Sequence, residues 1–350
     1  MRKIFLTMVV LTLLLSARGR VDATLVSAKQ LDKIGMNFAL GKGTKQNLKK
    51  SFYYFKRASE MNYAPAQYHV GVAYENGYWV KKDMKKAISY YKKAANQYHQ
   101  DAEYTLARLY DEGRNIKQDK RKAEYWYDKA AKHGDAYAKN ALGDMYKKGD
   151  GVKKDTAKAI RYYQTAAHKG NSDAQYKMAV LSQEGRVVAR DEKKAVSWYI
   201  GAAQNGSVEA QNELGEMYQN GYGVAKDLKK AYSLYREAAA HGSAKAMNNL
   251  GNMYINGYAV KRDKVKAYEY YKKAAKLGDI EAQYHVAVAY AGGQGIKKNH
   301  QEAAKWFRKA ADKGVKKAQY ALGIAYEKGY GVKKDIYKAL EWYKKAGNPN

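Results

Sequence analysis

Residues able to do chemistry are few in this 350-residue chain, and their spacing keeps them apart. His69 and His285 hold the same place in a 36-residue pattern, six copies apart, so they cannot share a site. His133 and His241 stand beside Gly134 and Gly242 and read as surface groups or helix C-terminal caps. No cysteine supplies a thiol, and no grouping of histidines has metal-ligand spacing. Gly-x-Gly pairs such as Gly149-Asp150-Gly151 could cradle a phosphate on backbone amides. A phosphate loop, however, follows a strand and carries a lysine at fixed spacing, whereas these pairs join two helices. The expectation is therefore no metal, no cofactor and no catalysis. Binding chemistry is better represented. One row, again at 36-residue spacing, reads Tyr68, Tyr104, Asn140, Tyr176, Asn212, Asn248, Tyr284 and Tyr320. Rigid aromatics give contact area at low entropic cost, and amides can hydrogen-bond an extended peptide backbone.

The elements that position this row follow a strict clock. Alanine recurs at Ala66, Ala102, Ala138, Ala174, Ala210, Ala246, Ala282 and Ala318, with a glycine eleven residues after each. A degenerate first copy, Gln30 to Pro65, keeps its glycine as Gly41, so about nine copies start near 30 and fill the chain. In the copy from Ala210, Leu214, Met217 and Tyr218 share one face of a 3.6-residue helix. Gly221 and Gly223 stop that helix, and Asp227 is placed to cap a second one. The second helix buries Ala231, Leu234, Tyr235, Ala238 and Ala239. Stacked helical hairpins, each burying its apolar face only on its neighbours, make an all-α solenoid. Tyrosines at helical spacing beside leucine and alanine, and pairs such as Tyr90-Tyr91 or Trp342-Tyr343, fill its core.

Charge is uneven. The chain carries +31. At the seventh, tenth and eleventh positions of the copies, however, Glu75, Asp111, Glu112, Asp144, Glu184, Glu216 and Glu327 outnumber Arg108, Lys147, Lys148 and Lys328. Lysine pairs such as Lys81-Lys82, Lys153-Lys154 and Lys333-Lys334 crowd the inter-helix loops, and Lys85-Lys86 and Lys229-Lys230 point outward from second helices. These are a solvated face, or else a surface drawn to an anionic polymer and released by salt. Nucleic acid ranks behind both, because the contacts are lysine-dominated and unforked. The tyrosine and asparagine row likewise has two readings that stay open, recognition or packing between copies.

Residues 1–23 stand outside the pattern. Arg2 and Lys3 precede an apolar run from Ile4 to Leu15, then small residues and Val21-Asp22-Ala23. This reads as a secretory signal peptide cut after Ala23, or near Gly19, against the competing reading of a buried N-terminal helix. The run is shorter than the roughly 20 residues of a membrane span. Its removal takes four positive charges and one negative, leaving +28. The expected mature protein, from residue 24 onward, is exported, periplasmic or secreted, with no membrane span.

Ala318–Ala346, AQYALGIAYEKGYGVKKDIYKALEWYKKA, resembles the Sel1-like repeat, a relative of the tetratricopeptide repeat. The copies from Ala66, Ala138, Ala210 and Ala246 resemble it too, whereas Ser51, Ser59, Ser182 and Val187 depart from its pattern. The resemblance implies a right-handed superhelix whose concave groove the third-position row would line. It also implies an adaptor that binds a protein partner, an extended segment or an acidic surface, in envelope processes or on a host, and the missing catalytic groups make it a non-catalytic scaffold. The alternative is a surface protein held by charge to an anionic envelope or host polymer.

Overall fold

The computed structural model describes residues 26–185 and 189–347. The expected signal segment, Val187 and residues 348–350 lie outside the described residues. Every regular element among the described residues is an α-helix. In chain order these are α1 (Ala28–Leu40), α2 (Leu48–Glu60), α3 (Ala64–Asn76), α4 (Met84–Ala95), α5 (Gln100–Glu112), α6 (Lys120–Lys132), α7 (Ala136–Lys148), α8 (Thr156–His168) and α9 (Ser172–Glu184). They continue with α10 (Glu192–Gln204), α11 (Val208–Asn220), α12 (Leu228–Ala240), α13 (Ala244–Asn256), α14 (Lys264–Lys276), α15 (Ile280–Gly292), α16 (His300–Asp312), α17 (Lys316–Lys328) and α18 (Ile336–Ala346). Two compact units divide at Tyr162 and Tyr163, inside α8. Within each unit the packing joins sequential helices, as in a solenoid of hairpins.

Local chemistry sets the hairpins. Every second helix opens on an aspartate or asparagine: Asn47, Asp83, Asp119, Asp155, Asp191, Asp227, Asp263, Asn299 or Asp335. The side chain of each accepts from the backbone N–H three residues on, at 2.8–3.1 Å. First helices stop at a glycine in the left-handed region, as at Gly221 (φ 78°) and Gly257 (φ 73°).

One ring per hairpin fixes how closely its helices approach. Tyr91, Tyr199 and Tyr235 are wholly buried. In the hairpins of Tyr91, Tyr235 and Tyr343 the ring lies against a residue with no side chain. A Cβ added at Gly71, Gly215 or Gly323 would meet that ring at 2.5–2.6 Å. The expected aromatic pairs do fill the core, but by different members. Tyr91 and Tyr199 are the buried partners of their pairs, Trp126 and Tyr127 are both buried, and Trp342 is buried with Tyr343 half-buried in the last.

Successive hairpins meet through the loop. Gly223 (φ 66°) presses on the backbone of Glu192, at the start of the preceding second helix, leaving no room for a Cβ. At the same loop position in other copies, Trp79 (φ 62°), Asn115 (φ 59°) and Ala259 (φ 58°) adopt the left-handed conformation without being glycine. That conformation costs an alanine roughly 1–2 kcal/mol, partly offset by its smaller unfolded-state freedom. Ala259→Gly should therefore raise unfolding free energy by about 0.5–1 kcal/mol in urea denaturation, and a loss of stability would contradict the strain.

Candidate binding surface

The third-position row divides by residue type. Its tyrosines each lean on the second-helix ring of their own copy. Ring centroids are 5.6 Å apart for Tyr68–Tyr91, 5.8 Å for Tyr104–Tyr127 and for Tyr176–Tyr199, 5.9 Å for Tyr284–Phe307 and 5.3 Å for Tyr320–Tyr343. Each ring is thus held from the core side and stays partly accessible: four are half-buried and Tyr320 is 44% exposed, while Tyr68 also stacks on His99 (5.1 Å, 21°) and Tyr104 meets Tyr137 at 6.2 Å. Burial pushes the phenols of Tyr68, Tyr104, Tyr176 and Tyr284 above their ordinary value, so they remain neutral donors. Of the two readings left open for the row, the asparagines fit packing between copies: Asn140, Asn212 and Asn248 are buried. Asn212 Nδ2 donates to Glu216 Oε1 at 3.0 Å, and its Oδ1 accepts from Asn249 Nδ2 of the next copy at 3.1 Å. A side chain this short is covered by the adjoining helices, whereas a tyrosine reaches past them.

The same rings organise the acidic positions. Tyr91 Oη donates to Glu75 at 2.5 Å, Tyr127 to Asp111 at 3.3 Å and Tyr343 to Glu327 at 2.7 Å, while Tyr199 and Tyr235 reach Gln183 and Gln219. The net negative charge expected on this face is partly offset by lysines from positions outside it. Lys120 Nζ bridges Asp111 and Asp150 at 2.6 and 2.8 Å, and Lys245 bridges Glu213 and Glu216 at 2.9 and 3.0 Å. Along several second helices, one lysine is less free than an outward-pointing side chain. Lys86, Lys158 and Lys230 lie over Tyr74, Tyr146 and Tyr218, with Nζ 5.3, 3.9 and 5.1 Å from the ring centroids. Loop lysines such as Lys81, Lys82, Lys153, Lys154, Lys333 and Lys334 are exposed as expected.

The sequence reading missed a charge in the packing. Glu103 is fully buried, with Oε2 2.7 Å from His133 Nδ1 and Oε1 without a hydrogen-bond partner. Its place is the second position of the copy, where Gln67, Gln175, Gln211 and Gln319 are also buried. The end of the second helix donates to that side chain elsewhere too: Gln97 Nε2 to Gln67 at 2.8 Å and Asn205 Nδ2 to Gln175 at 2.9 Å. A glutamate in a glutamine column, with a histidine thirty residues on, was the available signal. Gln175 and Gln319 also donate to the carbonyls of Ala167 and Ala311. Glu103→Gln should then leave the thermal midpoint unchanged or higher, whereas Glu103→Ala should cost about 1–3 kcal/mol. Equal loss in both variants would contradict this account of the column.

Among the described residues there is no group of three or more His, Asp or Glu that could hold a metal, and no helix long and apolar enough to cross a membrane. The sequence profile of the Sel1 repeat matches nine segments: 33–63, 64–99, 100–135, 136–171, 172–207, 208–243, 244–279, 280–315 and 316–348. The chain belongs to the Sel1 repeat family. One solved Sel1 structure it resembles is c5321, described as a protective antigen present in uropathogenic Escherichia coli strains and displaying an SLR fold. The two are 32% identical, with 91% of this chain and 76% of that one covered and a TM-score of 0.73. A Sel1 repeat protein from Oxalobacter formigenes is 28% identical over 95% of both chains, with a TM-score of 0.62. Comparison with curated proteins gave no match.

His285 gives the Sel1 array a titratable element. Its ring stacks on Tyr271 (4.6 Å, 19°), and burial, with Lys317 adding repulsion, pushes its pKa down to about 4. A histidine depressed in the folded state binds its proton more readily when unfolded. The unfolded chain is therefore favoured as pH falls from about 6.5 towards 4, and the loss levels off below that. His285→Phe keeps the stack and should flatten stability between pH 6.5 and 4, as read by urea midpoints at a series of pH values. An unchanged slope would count against the buried neutral ring.

Proposed function

We propose that this chain is an exported, non-catalytic Sel1 repeat scaffold that binds an extended segment of a protein partner along its third-position tyrosines. The observation that carries the reading is their shared arrangement, each ring fixed against a core ring while remaining partly accessible. Aromatic groups already ordered by the fold lose little entropy when a partner covers them. Tyr68 and Tyr104 form this surface in the first unit, and Tyr176, Tyr284 and Tyr320 in the second. The buried Asn140, Asn212 and Asn248 contribute to it as spacing elements between neighbouring copies. Export rests on the segment ending at Ala23, and a relative described as a protective antigen is in keeping with it.

A second reading, electrostatic attachment to an anionic envelope polymer, draws on the exposed loop lysines. Changing the five tyrosines to alanine should reduce partner recovery from the native compartment at least tenfold while circular dichroism stays unchanged. Full recovery by the folded variant would sink the tyrosine surface. In cosedimentation with purified envelope material, binding lost between 50 and 500 mM salt would favour the polymer, since exposed charges are screened over about 10 Å at 0.1 M. N-terminal sequencing of the mature chain should begin at Thr24.

A further inference from the structure

A half-open cavity of about 410 Å³ lies within the first unit, lined by α1, α2, α3 and the loops that follow α1 and α3. Met36, Leu48, Phe52, Phe55 and Val72 supply apolar walls, Gln46, Ser51 and Tyr78 add polar atoms at its margin, and His69 contributes an imidazole. Asp32, at the third position of the first copy, is buried and holds His69 Nδ1 at 2.8 Å. A carboxylate only accepts, so Nδ1 of the neutral ring carries the proton and Nε2 is left as an acceptor. Among the described residues, the hydrogen bond of the His69 ring is the one from Nδ1 to Asp32.

The array supplies its own comparison. A second cavity, of about 260 Å³, occupies the same repeat positions 216 residues further on, with His285 in place of His69. There Asn252, Lys264 and Tyr271 stand where the first cavity has Met36, Leu48 and Phe55, and Ile255 replaces Ala39. At the place of Asp32 stands Asn248, and no carboxylate is bonded to the second histidine. The first cavity thus differs from its twin in three correlated ways: it is larger, more apolar and has an oriented imidazole.

We propose that this cavity binds a small aromatic compound bearing one phenolic hydroxyl, which donates to Nε2 of His69. The rings of Phe52 and Phe55 favour an aromatic guest through edge and offset contacts. A dry cavity of about 150 Å³ accepts benzene, so this one has room for two fused rings. An acceptor set among largely apolar walls favours a ligand that is mostly apolar and carries a donor, because an unmatched polar atom on either side is penalised.

Calorimetric titration of the full-length protein with 2-naphthol, and with naphthalene as the isostere lacking the donor, tests this. One 2-naphthol should bind per chain, at least about tenfold more tightly than naphthalene, which is the 1.4 kcal/mol of one net hydrogen bond. His69→Phe should bring the two ligands within about twofold of each other. Ala39→Ile combined with Leu48→Lys copies the narrower second cavity, a packing the array already carries, and should abolish both. N-acetyltyrosinamide in parallel separates the sources: binding equal to 2-naphthol marks a partner's tyrosine as the guest, and selective 2-naphthol binding marks a free compound. Failure of wild type to bind 2-naphthol, a preference that survives in His69→Phe, or binding that survives the double variant overturns the proposal.

Discussion

The structure depends on how an aromatic ring is seated between the two helices of a hairpin, against a glycine in at least five of them, whereas the hairpins of Tyr127, Tyr199 and Phe307 carry alanine at the glycine's place. Tyr91 on Gly71, Tyr235 on Gly215 and Tyr343 on Gly323 bring two helices together where a single methyl would collide. Much follows from that seating. The ring's hydroxyl is delivered to the acidic edge of the first helix, where Glu75, Asp111 or Glu327 accepts it. Its edge supports the third-position tyrosine that we assign to recognition. Core and surface are therefore one aromatic stack, and a change in either is felt by the other.

Repetition also explains where chemistry can arise. Identical hairpins place identical groups in rows, which suits extended contact more than a reaction centre. Distinct chemistry appears where a copy breaks its column: Glu103 among glutamines, or Asp32 with His69 in the first hairpin. These positions have local consequences because neighbouring copies supply the packing that makes a single exchange tolerable. The same logic places strain at Ala259, where a loop keeps its left-handed shape after losing its glycine.

Much of the fold was legible because its determinants are local. The caps at Asp227 and Gly221 are read from residue type and spacing, and they lie where the 36-residue clock puts them. The surface was only partly legible. Tyr68 and Asn212 hold the same register, but one reaches past the neighbouring helix and the other does not, and side-chain length against that helix decides it. Lys120 reaches Asp150 30 residues away, and Lys245 reaches Glu213 and Glu216 32 and 29 residues away, contacts created by stacking and absent from any single-copy pattern. The cavity beside His69 depends on which bulky residues of the first copy are missing, a property of volume that periodicity does not encode.

The seating itself is tested most directly by two alanine substitutions within the second unit. Gly215 has the Tyr235 ring 2.6 Å from where its Cβ would be, whereas the nearest atom for Gly292 is at an ordinary 3.5 Å. Gly215→Ala should lower unfolding free energy by about 1–3 kcal/mol through overpacking, and Gly292→Ala should leave it unchanged or raise it by up to about 1 kcal/mol. Equal effects of the two substitutions would show that ring contact does not set the helix spacing, and the account would fail at its foundation.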